Sequence, residues 1–447
     1  MMGLRFWPRL QGISILLIVG AGLFSINASS QTPEDPDDLS RRVETLERHV
    51  SELESLLATE GEELTKIKLE LRLPEALGRP FTGLGPSASH AFSSRAPIRF
   101  GLLGEMRWMR PVEGSGLGVT GTKTQISRFL TFVSMRFSNQ LAASAAFTVH
   151  ESNLNSADPS GIRFAHIDYR WEPETGLRVG NVLVPVGIYN LRSDPFLFPT
   201  VRAPFVETVI IPSPWHENGL LFYIRKGRVV AQAGILTGFQ ARGLESTTWL
   251  RGGRQGATAQ AESAAGVARI EWMENENSLG ASAYLGEGHQ GDPRFGAARA
   301  LLWEAHGEFR HERIRGRFIF AEGTLEDAEK TSEITKQTIG SRARGIGLHL
   351  SYDVLPRLSP LVRDLIGRPA PPDWKELPLF ISWEYVNPQI EVSPGRVADL
   401  RTRIEALTFG VNYRPHPQVI FKFDHAIEKN GLDETARVYE FGAGFAF

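Results

Sequence analysis

From about residue 98 to its end, the chain alternates apolar with polar or small residues over runs of roughly 9–13 positions, punctuated by Gly, Pro, Asn and Asp. A period of two is that of a strand with two unlike faces. The runs predict strands at about 98–109, 126–138, 140–150, 162–172, 177–185, 218–226, 228–238, 264–274, 278–286, 299–311, 313–322, 342–354, 378–387, 402–413, 417–427 and 435–447, about sixteen in all. In the fourth, Ala165, Ile167, Tyr169 and Trp171 share one face, and Phe164, His166, Asp168 and Arg170 the other. In "ALLWEAHGEFRH", Leu301, Trp303, Ala305 and Phe309 oppose Glu304, His306, Glu308 and Arg310. Ile314, Phe318 and Phe320 oppose Arg313, Arg315 and Arg317, and Val419, Phe421 and Phe423 oppose Lys422 and Asp424. One face is continuously apolar and rich in aromatics; the other carries charges of both signs.

Alternation alone fits a soluble sheet protein as well as a membrane barrel. Strand length and connection length choose between them. Soluble strands average five or six residues, whereas a tilted bilayer crossing takes about 9–11, and most of these runs meet the longer figure. The connections alternate between short (138–140, 173–176, 226–228, 274–278, 311–313, 415–417) and long (110–125, 151–161, 186–217, 239–263, 287–298, 323–341, 388–401, 428–434). Outer-membrane barrels have short periplasmic turns, long external loops and an even strand number. With sixteen strands both termini fall on the short-turn side. The one long connection on that side, 355–377, is Pro-rich, and "PLVRDLIG" within it suggests a helical turn.

A different period precedes the strands. Leu39, Val43, Leu46, Val50, Leu53 and Leu57 alternate spacings of four and three, resumed at Leu64, Ile67 and Leu71. This narrow seam, flanked by Arg and Glu, predicts a coiled coil over 37–73 that assembles with identical neighbours. Pro74 ends it, and the Gly/Pro/Ser-rich stretch 74–97 reads as a linker. Ahead of it, Arg5 and Arg9, the apolar run 13–24 and small residues near Ala28–Ser30 form an export signal over 1–30. The expected organisation is therefore signal peptide 1–30, oligomerisation helix 37–73, linker 74–97 and an all-β antiparallel transmembrane barrel over 98–447, with the coiled coil in the periplasm.

Composition adds exclusions. A net charge of -2 implies no bulk attraction to nucleic acid. The absence of Cys removes disulfides, thiolate metal sites and Cys nucleophiles. The basic residues are mostly Arg, whose planar fork suits anion contact. There is no nucleophile elbow, P-loop, dinucleotide fingerprint or His-Glu-x-x-His. Glu304, His306 and Glu308 share a strand face, but a metal there would need ligands from neighbouring strands. No enzyme activity, cofactor or metal is expected.

The last strand sets Tyr439, Phe441, Phe445 and Phe447 against Glu440, Gly442 and Gly444. A terminal Phe on an aromatic alternating strand resembles the assembly signal of bacterial outer-membrane barrels. The segment 179–224, with "VPVGIYN", "DP", "APFVE" and "IIPSPWHENG", resembles bacterial porins of the phosphate-selective O/P type. The layout from about 30 to 447, a periplasmic coiled coil before a sixteen-stranded trimeric barrel, resembles that family too. The resemblance implies a homotrimer in outer-membrane lipid, inserted by the outer-membrane assembly machinery, that lets small hydrophilic solutes or ions diffuse passively, with an anion or phosphate preference.

Within that segment, the third long connection carries five Pro (195, 199, 204, 212, 214) and the bulky Phe196, Phe198, Phe205 and Trp215. So apolar a loop is expected to fold inward and narrow the barrel rather than sit in water. Selectivity comes from charges at the narrowest point. The loop's candidates are Arg192, Asp194, Arg202, Glu207 and His216; the facing wall adds Arg107, Arg128, Arg136, Arg170, Arg315, Arg317 and Lys422. Glu105, Asp168, Glu271, Glu304, Glu308 and Glu384 intermingle with them, so the basic residues form no unbroken ladder. The alternative function is a non-conducting structural or adhesive barrel tethered through its coiled coil.

Overall fold

A computed structural model of the chain describes residues 45, 47–51, 98–112, 121–151, 161–192, 194–358 and 376–446. The chain divides into two compact units, Met1–Glu70 and Leu71–Phe447. In the first, Thr45 and residues 47–51 are helical and Val50 is exposed. The rest of the expected coiled coil lies outside the described residues. So do the export signal, the linker 74–97, "PLVRDLIG" and Phe447.

The second unit contains sixteen strands: β1 (Ile98–Pro111), β2 (Lys123–Arg136), β3 (Leu141–Glu151), β4 (Ile162–Glu172), β5 (Thr175–Leu183), β6 (His216–Lys226), β7 (Val229–Thr237), β8 (Ala264–Glu274), β9 (Asn277–Glu287), β10 (Arg299–His311), β11 (Ile314–Leu325), β12 (Gly340–Asp353), β13 (Pro378–Val392), β14 (Ile404–His416), β15 (Val419–Asn430) and β16 (Thr435–Ala446). Each pairs antiparallel with its sequence neighbours, and β1 pairs with β16 from Leu103↔Ala446 to Pro111↔Val438, closing the barrel. Closure removes sheet edges, so the ladder satisfies backbone polar groups without water. The strands run slightly longer than expected in places; β13 continues to Val392 rather than ending near 387.

The short turns follow local chemistry. The two-residue connections β8–β9 and β10–β11 begin at Asn275 (φ 53) and Glu312 (φ 50), and β6–β7 begins at Gly227 (φ 59). Positive φ there matches the turn's twist to that of the strands. The opposite end of the barrel carries the long connections.

The two faces are as the alternation requires. Ile167, Tyr169, Trp171, Ile270, Trp272, Leu301, Trp303, Phe309, Phe318, Phe421, Phe423, Tyr439, Phe441 and Phe445 are exposed on the outside. His166, Asp168, Arg170, Arg269, Glu271, Glu304, His306, Lys422, Asp424 and Glu440 are buried on the inside. No helix among the described residues is long and apolar enough to cross a membrane; this bears on helices only and not on the barrel.

The interior is far from empty. Val182, Val206, Ile210, Trp215, Leu236, Trp249, Leu250, Tyr284, Leu302, Ile319 and Val386 belong to one buried apolar cluster. It joins the inner wall to the connections 184–215 and 238–263. The second of these corrects the expectation of a polar external loop. Trp249 is fully buried and its indole Nε1 donates to the Gly340 carbonyl at 3.0 Å. Phe239, Leu244 and Leu250 of the same connection are buried with it, so the inward packing rests on several apolar side chains. Connection 326–339 is likewise more than loop: helix α1 (Ala328–Thr335) buries Ala328, Thr331 and Ser332. A smaller cluster on the other side comprises Leu103, Leu130, Phe132, Ala146, Phe164, Leu183 and Leu191.

Candidate functional site

Connection 184–215 crosses the interior, and its root is tied at both ends. Asn190 Nδ2 donates to the carbonyls of Val184 and Trp215, each at 2.7 Å, and its Oδ1 accepts from Trp215 N at 2.6 Å. Glu207 Oε1 accepts from the amides of Ile188 at 2.8 Å and Tyr189 at 3.1 Å. Gly187 sits at φ +77, and a Cβ there would lie 2.3 Å from Glu207 Oε2. That position demands glycine on two counts, handedness and space. The wall completes the root: Arg269 Nη1 donates to Gly187 O at 2.6 Å, and Gly187 N donates to Glu304 Oε1 at 3.4 Å. Burial pushes the Glu207 carboxyl up to about 7, against the two amide hydrogen bonds that favour its charge.

The far arm lies along β14–β16. Arg414 Nη2 donates to Phe196 O at 2.8 Å, and Asn412 Nδ2 to Pro199 O at 3.0 Å. Lys422 Nζ donates to Phe198 O at 2.9 Å and Thr200 O at 3.0 Å. Val201 N donates to Asp424 Oδ2 at 2.7 Å. Arg202 donates to Glu440 at 2.8 Å and pairs with Glu428. Gly444 gives the arm room, since a Cβ there would come within 2.6 Å of Pro195 Cβ. The return passes β13, where Val206 N donates to Glu384 Oε1 at 3.2 Å, and ends in a buried helical turn at Val206–Ile210. Arg251 and Arg254 of the next long connection cap this turn, donating to the carbonyls of Thr208 (2.7 Å) and Pro212 (3.1 Å).

These contacts distribute the expected site residues. Arg192 reaches β10, where its Nη2 donates to Glu308 Oε2 at 2.6 Å, and Arg317 of β11 pairs with the same carboxylate at 2.5 Å. Arg192, Asp194, Arg315 and Arg317 line one cleft near the short-turn end, with Phe196, Pro199, Glu276, Arg310, His349, Asn412 and Arg414. Arg202 lies beside this cleft, against β15 and β16. Arg107 also faces Glu440 there, at 4.0 Å. Arg128 pairs with Glu105 at 2.6 Å and stands over the Tyr189 ring at 5.3 Å. Arg136 is half-buried near the short-turn end of β2. Lys422 is taken up by the loop carbonyls.

Glu207, His216 and Arg170 are not part of a common ring with these. Glu207 is in the loop root. His216, the first residue of β6, bonds Asn181 at 2.7 Å. Arg170 Nε donates to Tyr223, whose hydroxyl donates to Asp168 at 2.6 Å, in a buried wall network that also holds Arg178. The expected residues are spread along the loop and the wall it follows, Arg192 meeting β10 and Arg202 meeting β15 and β16. The reason is the loop's path, which touches strands far apart around the barrel.

The sequence reading missed Glu376, at the end of the Pro-rich short-side connection. Its carboxylate meets Arg315 at 2.5 Å and 2.8 Å, and Arg310 and Arg414 at 3.5 Å each. Nothing local to a lone Glu before a strand signals this. The metal alternative finds its groups engaged: His306 Nδ1 bonds Glu304 Oε2 at 2.8 Å and its Nε2 bonds Arg269 at 2.9 Å. Among the described residues no group of three or more His, Cys, Asp or Glu could hold a metal ion.

No family model matches the chain. It is similar to a protein of Aquifex aeolicus (strain VF5) described as uncharacterized, at 28% identity over 81% of this chain and 83% of that one. Among solved structures, it is similar to an anion-selective porin from Comamonas acidovorans at TM-score 0.48 and 12% identity, covering 78% of this chain and 99% of the other. It is also similar to the loop-deleted outer-membrane protein OmpT of Vibrio cholerae at TM-score 0.47 and 11% identity, with the same coverage. At these scores the barrel assignment rests on the chain's own closed hydrogen-bond ladder.

Proposed function

We propose that the chain is an outer-membrane porin through which small hydrophilic solutes or ions diffuse passively. One observation carries the reading: a closed barrel whose outer face is apolar and aromatic while its inner face and the connection crossing it are charged. A soluble barrel buries its apolar face; this one displays it, as a chain with hydrocarbon for solvent does. Connection 184–215 is the size filter, and the Arg-lined cleft gives the pore an anion preference. No catalytic step is involved. The oligomer is a homotrimer, joined through the coiled coil and the barrel walls, and Tyr439, Phe441, Phe445 and Phe447 form the signal read by the assembly machinery.

The test is liposome swelling with the purified oligomer in neutral sugars of graded size. The reading requires swelling rates that fall with sugar radius. Absence of swelling at every size overturns it. The second reading, a non-conducting structural barrel, is favoured by the apolar cluster around Trp249, which closes much of the interior on the β5–β13 side.

A further inference from the structure

The cleft beside the crossing connection encloses about 170 Å³. Its lining is in part apolar, with Phe196, Leu197 and Pro199 of that connection and Pro378 of β13. Its guanidinium groups are engaged. Arg192 and Arg317 meet Glu308, and Arg310, Arg315 and Arg414 meet Glu376. Each of these charges already has its counter-charge, so hydrogen bonding is what the cleft has left to hold a solute with.

Two polar side chains of the lining stand outside these pairs. His349 of β12 is 6% exposed and Asn412 of β14 is 3% exposed. Leu348 and Leu350 face outward, which turns His349 into the barrel, directly across from Arg317 on β11. Among the described residues neither His349 Nδ1 nor Asn412 Oδ1 has a hydrogen-bond partner. Asn412 Nδ2 donates to Pro199 O at 3.0 Å. A carbonyl only accepts, so the amide is fixed with its nitrogen towards the loop and its oxygen left over. Buried polar groups are normally paired, and an exception points to a partner from outside the chain. The chemistry of the two atoms narrows that partner. An amide oxygen accepts and cannot donate, and a neutral imidazole carries one donor and one acceptor. A carboxylate or a phosphate dianion brings acceptors alone and would set lone pairs against the Asn412 oxygen. A hydroxyl donates and accepts, so it answers both atoms. Several hydroxyls on a carbon skeleton would also set C–H groups against Phe196, Leu197 and Pro199. The cleft is smaller than the roughly 300–1,000 Å³ of sites for drug-sized ligands, so the solute is small.

We infer that His349 and Asn412 hold a small neutral polyhydroxylated solute, of the polyol or monosaccharide class, in this cleft. His349 exchanges a hydrogen bond with one hydroxyl and Asn412 accepts from another, while the C–H side of the solute lies on the apolar lining. With two hydrogen bonds and no charge pairing the hold is weak, on the order of millimolar, and a solute held so weakly leaves again, as a conducting path needs. The preference of the pore for anions concerns passage; this site concerns retention. The inference deepens the porin reading and rests on it for its role, since it names a solute class that the pore retains; the binding itself does not depend on conduction.

The experiment compares the unaltered full-length protein with His349→Leu and His349→Gln in two measurements. The first is saturation-transfer NMR of the detergent-solubilised oligomer titrated with glucose, which needs no conduction. The unaltered protein is expected to bind glucose saturably, and His349→Leu to raise the half-saturating concentration about tenfold. His349→Gln, whose amide again supplies a donor and an acceptor, is expected to restore most of the loss. The second is the decrease of KCl current by glucose in planar bilayers, where the half-effective concentrations should follow the same order. No saturable glucose binding to the unaltered oligomer overturns the inference without recourse to a variant. Equal affinity in the three folded proteins overturns it too. Binding of inorganic phosphate in place of glucose, lost in His349→Leu, overturns the neutral-solute class. Glucose binding that depends on His349, with no current from any protein, keeps the site and overturns the porin reading alone.

Discussion

Glu207 shows what the interior asks of single residues. It is nearly fully buried, its Oε1 holds two amides, and its carboxyl titrates near 7 instead of near 4.5. The folded protein thus binds the proton more tightly than the unfolded chain. The stabilising contribution is complete below about pH 4.5 and is lost as pH rises through 7. Glu207→Gln keeps an oxygen for the amides and removes the titration. The thermal midpoint of the unaltered oligomer should fall relative to the variant between pH 5 and 8, by the equivalent of on the order of 3 kcal/mol; parallel curves across that range would contradict the assignment. Gly187→Ala should loosen the same root by about 1–3 kcal/mol, read as faster proteolysis within 184–215. At this scale the alternating pattern sufficed to say which way Arg170, Glu304 or Lys422 points, because a period of two is written into adjacent residues. It could not say what they meet. Arg202 and Glu440 are separated by 238 positions, and only closure of the barrel brings them together.

Connection 184–215 is the element that crosses the interior, and the porin reading makes it the filter. Its apolar composition was enough to send it inward, since Phe196, Phe198 and Trp215 have nowhere to stay in water. Its route was not legible, because it depends on carboxylates and glycines spread over β8 to β16. Arg202 illustrates the consequence. Arg202→Gln leaves Glu428 and Glu440 without their main cation, so the reversal potential in a salt gradient should shift toward cations; an unchanged potential would mean that this wall lies off the path. Connection 238–263 carries charged and small residues among its apolar ones, so nothing periodic in it signals that it packs inward. Trp249→Ala should cost about 3–5 kcal/mol, release this connection from the Gly340 wall and raise the conductance of each channel. A destabilised variant of unchanged conductance would assign the connection to stability alone.

The described strands form a closed ladder with aromatics on its outer face, and that much follows from strand length, turn alternation and an even count. What fills the ladder does not follow from them, because the filling is made of connections, whose conformation has no period. The outward face gives a direct expectation. In vesicles of brominated lipid, the fluorescence of the exposed Trp171, Trp272 and Trp303 should be quenched, and that of the buried Trp215 and Trp249 should not. Single-tryptophan variants separate the two sets; equal quenching of both would refute the inside–outside assignment. The most direct test of the central claim is single-channel recording from the unaltered oligomer in a planar bilayer, with a KCl gradient across it. The porin account predicts current steps grouped in threes, with a reversal potential on the anion side. An oligomer that inserts without ever conducting would contradict it and leave the barrel as a structural element.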